Sequence, residues 1–158
     1  MMKNVVKQIS YLEVDDIAEL SAEEVRLIEA AKDATNGSYA PYSEFYVGAA
    51  LMLDNGVVVK GANQENGAYP SGLCAERTAL FSAGATYPKT PVRMLAIAAQ
   101  TKGEFLDEPI VPCGACLQVM VETELRAGAP ITILLHGKKR TYKIEGVSTL
   151  LPFAFTLK

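Results

Sequence analysis

Histidine occurs once in this chain, at His136, and cysteine only three times, at Cys74, Cys113 and Cys116. Three cysteines cannot pair off into a disulfide framework, and 158 residues are enough to bury a core without one. They suit a reducing cytoplasm, as free thiols or metal ligands. No apolar run approaches membrane-spanning length, and Met1-Met2-Lys3-Asn4-Val5-Val6-Lys7-Gln8 meets charge before a leader-like stretch develops. A cytoplasmic protein with no membrane partner is the expectation.

Positive charge is also scarce. The formal charge is −3, and the only basic cluster is Lys138-Lys139-Arg140. With Gly137 beside it and apolar runs on either side, that cluster reads as the tip of a hairpin. A nucleic-acid binder needs a broad basic face to neutralise phosphates, so a small or neutral substrate is expected instead. Hydrophobic residues reach 49% and charged residues only 21%, a balance that favours a subunit hiding surface against a partner.

Residues 1–20 form an N-terminal arm without a clear period, and residues 21–158 read as a single domain. Ser21 with Glu24 three residues on is a capping box, and Leu20 with Val25 a hydrophobic staple. A helix is expected from there to Asn36-Gly37. Residues 45–53 and 57–62 read as a hairpin around Asp54-Asn55-Gly56. Helices are expected over 74–83, stopped by Gly84, and over 113–127, closed by Gly128. Further strands fall at 94–99, 131–135 and 140–144. The order implies one mixed sheet of five strands with helices packed against it.

Cys113 and Cys116 stand three apart at a helix start, so both thiols can reach one metal ion. Cys74 begins another helix in the same way, and two facing helix N-termini would stabilise three thiolates. Thiolates select zinc, and structural zinc sites fill all four positions. Two readings stand here. A closed structural site needs a fourth ligand, for which His136 is the only histidine. An open site gives that place to water, which zinc makes usable as hydroxide near neutral pH. Glu76, two residues after Cys74, fits the open site as a proton carrier; alone it also reads as a solvated acid in a first helical turn. Three thiolates and one zinc sum to −1, which the Arg77 guanidinium can offset; a surface ion pair is the other reading of Arg77.

Several separate blocks carry a resemblance. They are Tyr39-Ala-Pro-Tyr-Ser-Glu-Phe-Tyr-Val-Gly-Ala-Ala, Gly61-Ala-Asn-Gln-Glu-Asn-Gly-Ala-Tyr, Cys74-Ala-Glu-Arg-Thr-Ala, Pro112-Cys-Gly-Ala-Cys-Leu-Gln-Val and Leu150-Leu-Pro-Phe-Ala-Phe. Over residues 22–155 the chain resembles the homotetrameric, three-cysteine cytidine deaminases of nucleoside salvage. Their superfamily's signature otherwise has histidine at the first ligand. The resemblance implies an α/β fold of three layers, a mixed five-stranded sheet with helices on both faces. It implies one Zn2+ per subunit on Cys74, Cys113 and Cys116, with Glu76 as proton shuttle and Arg77 supporting the sulfurs. Asn63 and Glu65 match the pair holding the ribose 3′-hydroxyl, Phe45 the ring lining the pyrimidine pocket, and Ala75 and Cys113 backbone contacts to the base. Tyr69 and Phe155 correspond to residues reaching a neighbouring subunit's pocket. The implied activity is hydrolysis of cytidine and 2′-deoxycytidine to uridine and 2′-deoxyuridine with release of ammonia.

Leu117 departs from the pattern, standing where the family usually has arginine. If that arginine neutralises thiolates, Arg77 carries the task alone and a shifted pH profile is expected. Deamination of another cytosine nucleoside, such as an aminoacylnucleoside antibiotic, and a non-catalytic zinc-stabilised domain are the alternatives that sequence leaves open.

Overall fold

The computed structural model describes residues 1–157. Seven strands form one sheet: β1 (Leu12–Val14), β2 (Phe45–Leu53), β3 (Val58–Ala62), β4 (Val92–Thr101), β5 (Glu104–Phe105), β6 (Thr132–His136) and β7 (Thr141–Glu145). Three helices flank it: α1 (Ala22–Ala34), α2 (Ala75–Thr86) and α3 (Gly114–Ala127). The strand order is β1-β7-β6-β4-β2-β3, with β5 paired to β4. The expected five strands are therefore seven. The two additions are β1, inside the stretch read as an arm, and the two-residue β5. Neither is long enough to show an alternating period, so only tertiary pairing reveals them.

All neighbouring strands pair antiparallel except β4 and β6, which run parallel with α3 as their crossover. Strand β2 alternates between two cores. Val47, Ala49, Leu51 and Leu53 face α2 and α3, while Ala50 and Met52 face α1. Burial on both faces explains the nearly unbroken apolar reading of β2 and β4.

The local signals at α1 hold. Ser21 accepts from the Glu24 N–H, and the Glu24 carboxylate accepts from the Ser21 N–H at 2.9 Å. Leu20 and Val25 join the same apolar cluster. Gly128 closes α3 at φ 68°, a left-handed cap that glycine adopts without a Cβ penalty. Gly84 does not stop α2, which runs on to Thr86. Pro88 sets that end, because the residue before proline leaves the helical region and Tyr87 sits at φ −127°, ψ 60°.

Lys138 meets Glu104 and Asp107, Lys139 meets Asp107, and Arg140 meets Glu13 and Glu108. The basic cluster is thus paired at its hairpin tip and offers no open cationic face. No helix among the described residues is long and apolar enough to cross a membrane.

Candidate metal centre

Because β3 and β4 each lead into a helix on the same face of the sheet, α2 and α3 bring their N-termini together. Cys74 and Cys113 are the N-cap residues of those two helices, and Cys116 lies in the first turn of α3. Neither N-cap sulfur accepts a capping hydrogen bond from its own helix. The Cys74 and Cys113 sulfurs are 3.7 Å apart, and Cys113 and Cys116 3.5 Å. All three lie within 4.8 Å of one another, and they are the group of this kind among the described residues. His136 is elsewhere, at the end of β6, its Nδ1 3.0 Å from Thr141 Oγ1. The closed-site reading that needed His136 is not supported by this placement.

The donor set fits zinc: three convergent thiols, soft ligands at two positive helix ends. Their protons are already unevenly held. Cys74 is pulled down to about 5, first by the neighbouring Cys116 thiol and then by Arg77, whose Nη2 lies 3.8 Å from the Cys74 sulfur. Cys116, close to Cys74 and buried, moves upward. Arg77 itself is pushed higher by the Cys74 sulfur. Its Nε is buried and finds no acceptor among the described residues, a positive group fixed where a thiolate cluster needs charge removed. The three-cysteine cluster is able to coordinate a single Zn2+ ion.

Glu76 is only 4% exposed. Burial raises its carboxyl above the ordinary range, and the Cys74 charge adds to the rise. A buried acid of raised pKa beside a metal site is equipped to carry protons. The solvated first-turn reading of Glu76 does not survive this burial.

Asn63, Glu65, Tyr69, Cys74 and Arg77 line one cleft of about 480 Å³. Segment 63–65 is held there from both sides. Gln64 exchanges backbone bonds with Leu73, and the Glu65 N–H donates to Tyr39. The Asn63 side chain spans two residues of β2, its Nδ2 donating to the Phe45 carbonyl (2.8 Å) and its Oδ1 accepting from the Val47 N–H (2.9 Å). The Glu65 carboxylate accepts from the Tyr42 N–H (2.9 Å) and from the Ser43 N–H and hydroxyl. The Ser43 hydroxyl is the main cause of that carboxyl's lowered pKa. Asn63 thus holds the start of β2 and Glu65 the loop before it, and each keeps lone pairs, with Asn63 also keeping an N–H, to offer a ligand. Ser43 and Tyr42 were not singled out in the sequence, although both fall in the Tyr39 block; their contact with Glu65 spans more than twenty residues and leaves no local signal.

Ala75 is fully buried at the start of α2, and Phe45 is half-buried on the same sheet face. Tyr69 is 77% exposed and meets Tyr42 edge-on at 6.2 Å. Phe155 does not enter this cleft. It is 68% exposed and lines a separate hollow over α2 and α3, near Phe81 and Gln118.

Leu117 is 6% exposed and sits in the apolar cluster between α2, α3 and the sheet. An arginine there, with the surroundings unchanged, would carry an unpaired charge into that cluster at a cost of about 3 kcal/mol or more. Leu117→Arg is expected to lower the melting temperature by several degrees, whatever it does to the pH profile. An unchanged thermal midpoint would show that the arginine escapes toward the sulfurs instead.

Three thiols and a buried carboxyl gathered at two helix N-termini on an α/β/α framework are the donor set of a zinc-dependent hydrolytic enzyme. The sequence profile of the cytidine and deoxycytidylate deaminase zinc-binding region matches residues 21–128, and the chain belongs to that family. It is 44% identical over 130 residues to a cytidine deaminase of Halalkalibacterium halodurans, covering 82% of this chain and 92% of that protein. A cytidine deaminase of Sporosarcina psychrophila is 39% identical over 131 residues, 83% of this chain and 90% of the other. Among solved structures, cytidine deaminase from Burkholderia pseudomallei superposes with a TM-score of 0.69 at 44% identity, covering 83% of this chain and 98% of that one. The Mycobacterium tuberculosis enzyme gives 0.68 at 33%, covering 87% and 100%.

Proposed function

We propose that this chain catalyses the zinc-dependent hydrolytic deamination of cytidine and 2′-deoxycytidine to uridine and 2′-deoxyuridine, with release of ammonia. The observation that carries the reading is the buried Glu76 carboxyl two residues from Cys74, beside three converging thiols. The cytidine deaminases to which the chain is similar support the substrate class.

Cys74, Cys113 and Cys116 would hold the zinc, which when bound acts as a Lewis acid and makes water nucleophilic near neutral pH. Glu76 has two proton transfers to perform. It delivers a water-derived proton to ring N3, which makes C4 electrophilic. After oxygen adds at C4, it carries the second proton to the amino nitrogen, which departs as ammonia. Burial raises the Glu76 carboxyl above its ordinary range, which suits a group that both takes up and returns a proton. Arg77 keeps the Cys74 sulfur supplied with positive charge.

Asn63 and Glu65 bind the sugar hydroxyls in this reading, with Phe45 and the backbone at Ala75 beside the base. Tyr69 and Phe155 serve the pocket of a neighbouring subunit in a homotetramer. Exposed Tyr69, Phe81, Val111, Leu125, Phe153 and Phe155 support such an assembly, since they give it apolar surface to cover.

Ammonia release measured side by side on cytidine, deoxycytidine, cytosine and adenosine, with zinc counted per subunit, tests the proposal. Turnover confined to the two cytosine nucleosides is expected. Zinc-loaded protein inert toward both would overturn it.

A further inference from the structure

The N-terminal arm crosses to the opposite end of the chain and meets the C-terminal segment through the Lys7 side chain. Strand β1 fixes the arm's root on β7, with Leu12 opposite Lys143 and Val14 opposite Thr141. The Tyr11 ring extends the contact, packing on Tyr142 at 4.9 Å. From that anchor Lys7 reaches the tail. Its ammonium donates to the Pro152 carbonyl and lies 4.4 Å from the centroid of the Phe153 ring.

The tail needs a hold at that point. Upstream, the Leu150 and Leu151 N–H groups both donate to the Val147 carbonyl, and the Val147 N–H donates to Glu124. Downstream, Gln118 Nε2 donates to the Phe155 carbonyl at 2.8 Å. Between these fixed ends lie Pro152, Phe153 and Ala154, with no helix or strand to order them. Among the described residues, Lys7 is the side chain hydrogen-bonded to that span. Proline has no N–H to tie itself down, so its carbonyl is the backbone group left for a donor. The ammonium supplies the donor and also attracts the face of the next ring, two interactions that a neutral side chain cannot combine.

We infer that Lys7 is a positioning residue: it clasps Pro152 and Phe153 and thereby sets where Phe155 is presented. The inference rests on the reading of Phe155 as part of a neighbouring subunit's pocket. It gives the arm a task in substrate binding, exerted through the tail rather than at the reacting atoms. Loss of the clasp weakens substrate binding and leaves the chemical step, which belongs to Glu76, largely alone.

Hydrogen–deuterium exchange over residues 150–157, read beside steady-state kinetics on cytidine, tests this in the full-length protein. Lys7→Ala is expected to speed exchange in the tail and to raise KM by about two- to fivefold, the size of one exposed cation–ring contact, with kcat moved much less. Lys7→Arg, which keeps both the donor and the ring contact, restores both readouts. Lys3→Ala, an exposed lysine on the same arm, serves as control and changes neither. Unchanged tail exchange in Lys7→Ala overturns the clasp. Faster exchange with an unchanged KM overturns the positioning role, and a Phe155→Ala arm then locates the fault. If Phe155→Ala raises KM, Phe155 serves the pocket without help from Lys7; if it does not, the reading of Phe155 itself has failed.

Discussion

Glu76→Gln is expected to leave the chain folded and zinc-loaded while turnover of cytidine falls by about 10²–10⁴-fold, the usual yield of a positioned acid–base group. Glutamine keeps the volume and polarity of the side chain, and the site that holds Glu76 is at the start of α2, fixed by Ala75 and Ala79 against the sheet. What it cannot do is accept a proton and return it. In the proposed mechanism both proton transfers pass through this group, so both steps would lose their carrier together. A loss confined to KM would mean that Glu76 binds the base without moving protons. Near-normal turnover would remove it from the mechanism.

Gly61→Ala is expected to cost about 1–3 kcal/mol of stability, the range for forcing extra volume into a packed interior, and to loosen zinc as well. A Cβ on Gly61 would lie 2.4 Å from Ala79 N and 2.6 Å from Ala75 O, both backbone atoms of α2. No side chain can rotate away to relieve that contact, so α2 itself must shift, carrying Cys74 and Glu76 with it. Gly48 offers the matched control on the other face. Its Cβ would meet Ala31 O at 2.0 Å, so Gly48→Ala forces α1 outward, and α1 carries no metal ligand. Both variants should melt earlier, but only Gly61→Ala should lose zinc faster to a chelator. Equal chelation rates in the two variants would show that the metal centre is insensitive to the seating of α2.

The contrast between those glycines marks what could be read from sequence. Cys113 and Cys116 converge because a three-residue step on a first helical turn is local geometry, and Ser21 with Glu24 declares α1 for the same reason. Cys74 was harder: only the return of α2 to the sheet beside α3 brings it within 3.7 Å of Cys113. Strand β1 escaped because three residues cannot show a period, and β5 because two residues show nothing at all. Gly84 misled because glycine tolerates the last turn of α2, and the real stop lay at Pro88. Asn63 and Glu65 were visible as a pair of polar groups. That they first hold the backbone of residues 42–47 depends on contacts across sixteen to twenty-three residues. Leu117 looked like a missing charge beside the sulfurs, whereas in the fold it fills apolar space between two helices and the sheet.

Zinc K-edge X-ray absorption on the purified, fully loaded protein addresses the central claim most directly. Three sulfur scatterers and one light oxygen-type scatterer are predicted, with the light atom replaced when an inhibitor carrying its own zinc-binding group is added. Four protein ligands, with an imidazole signature from His136 or a fourth sulfur from a second chain, would contradict the account.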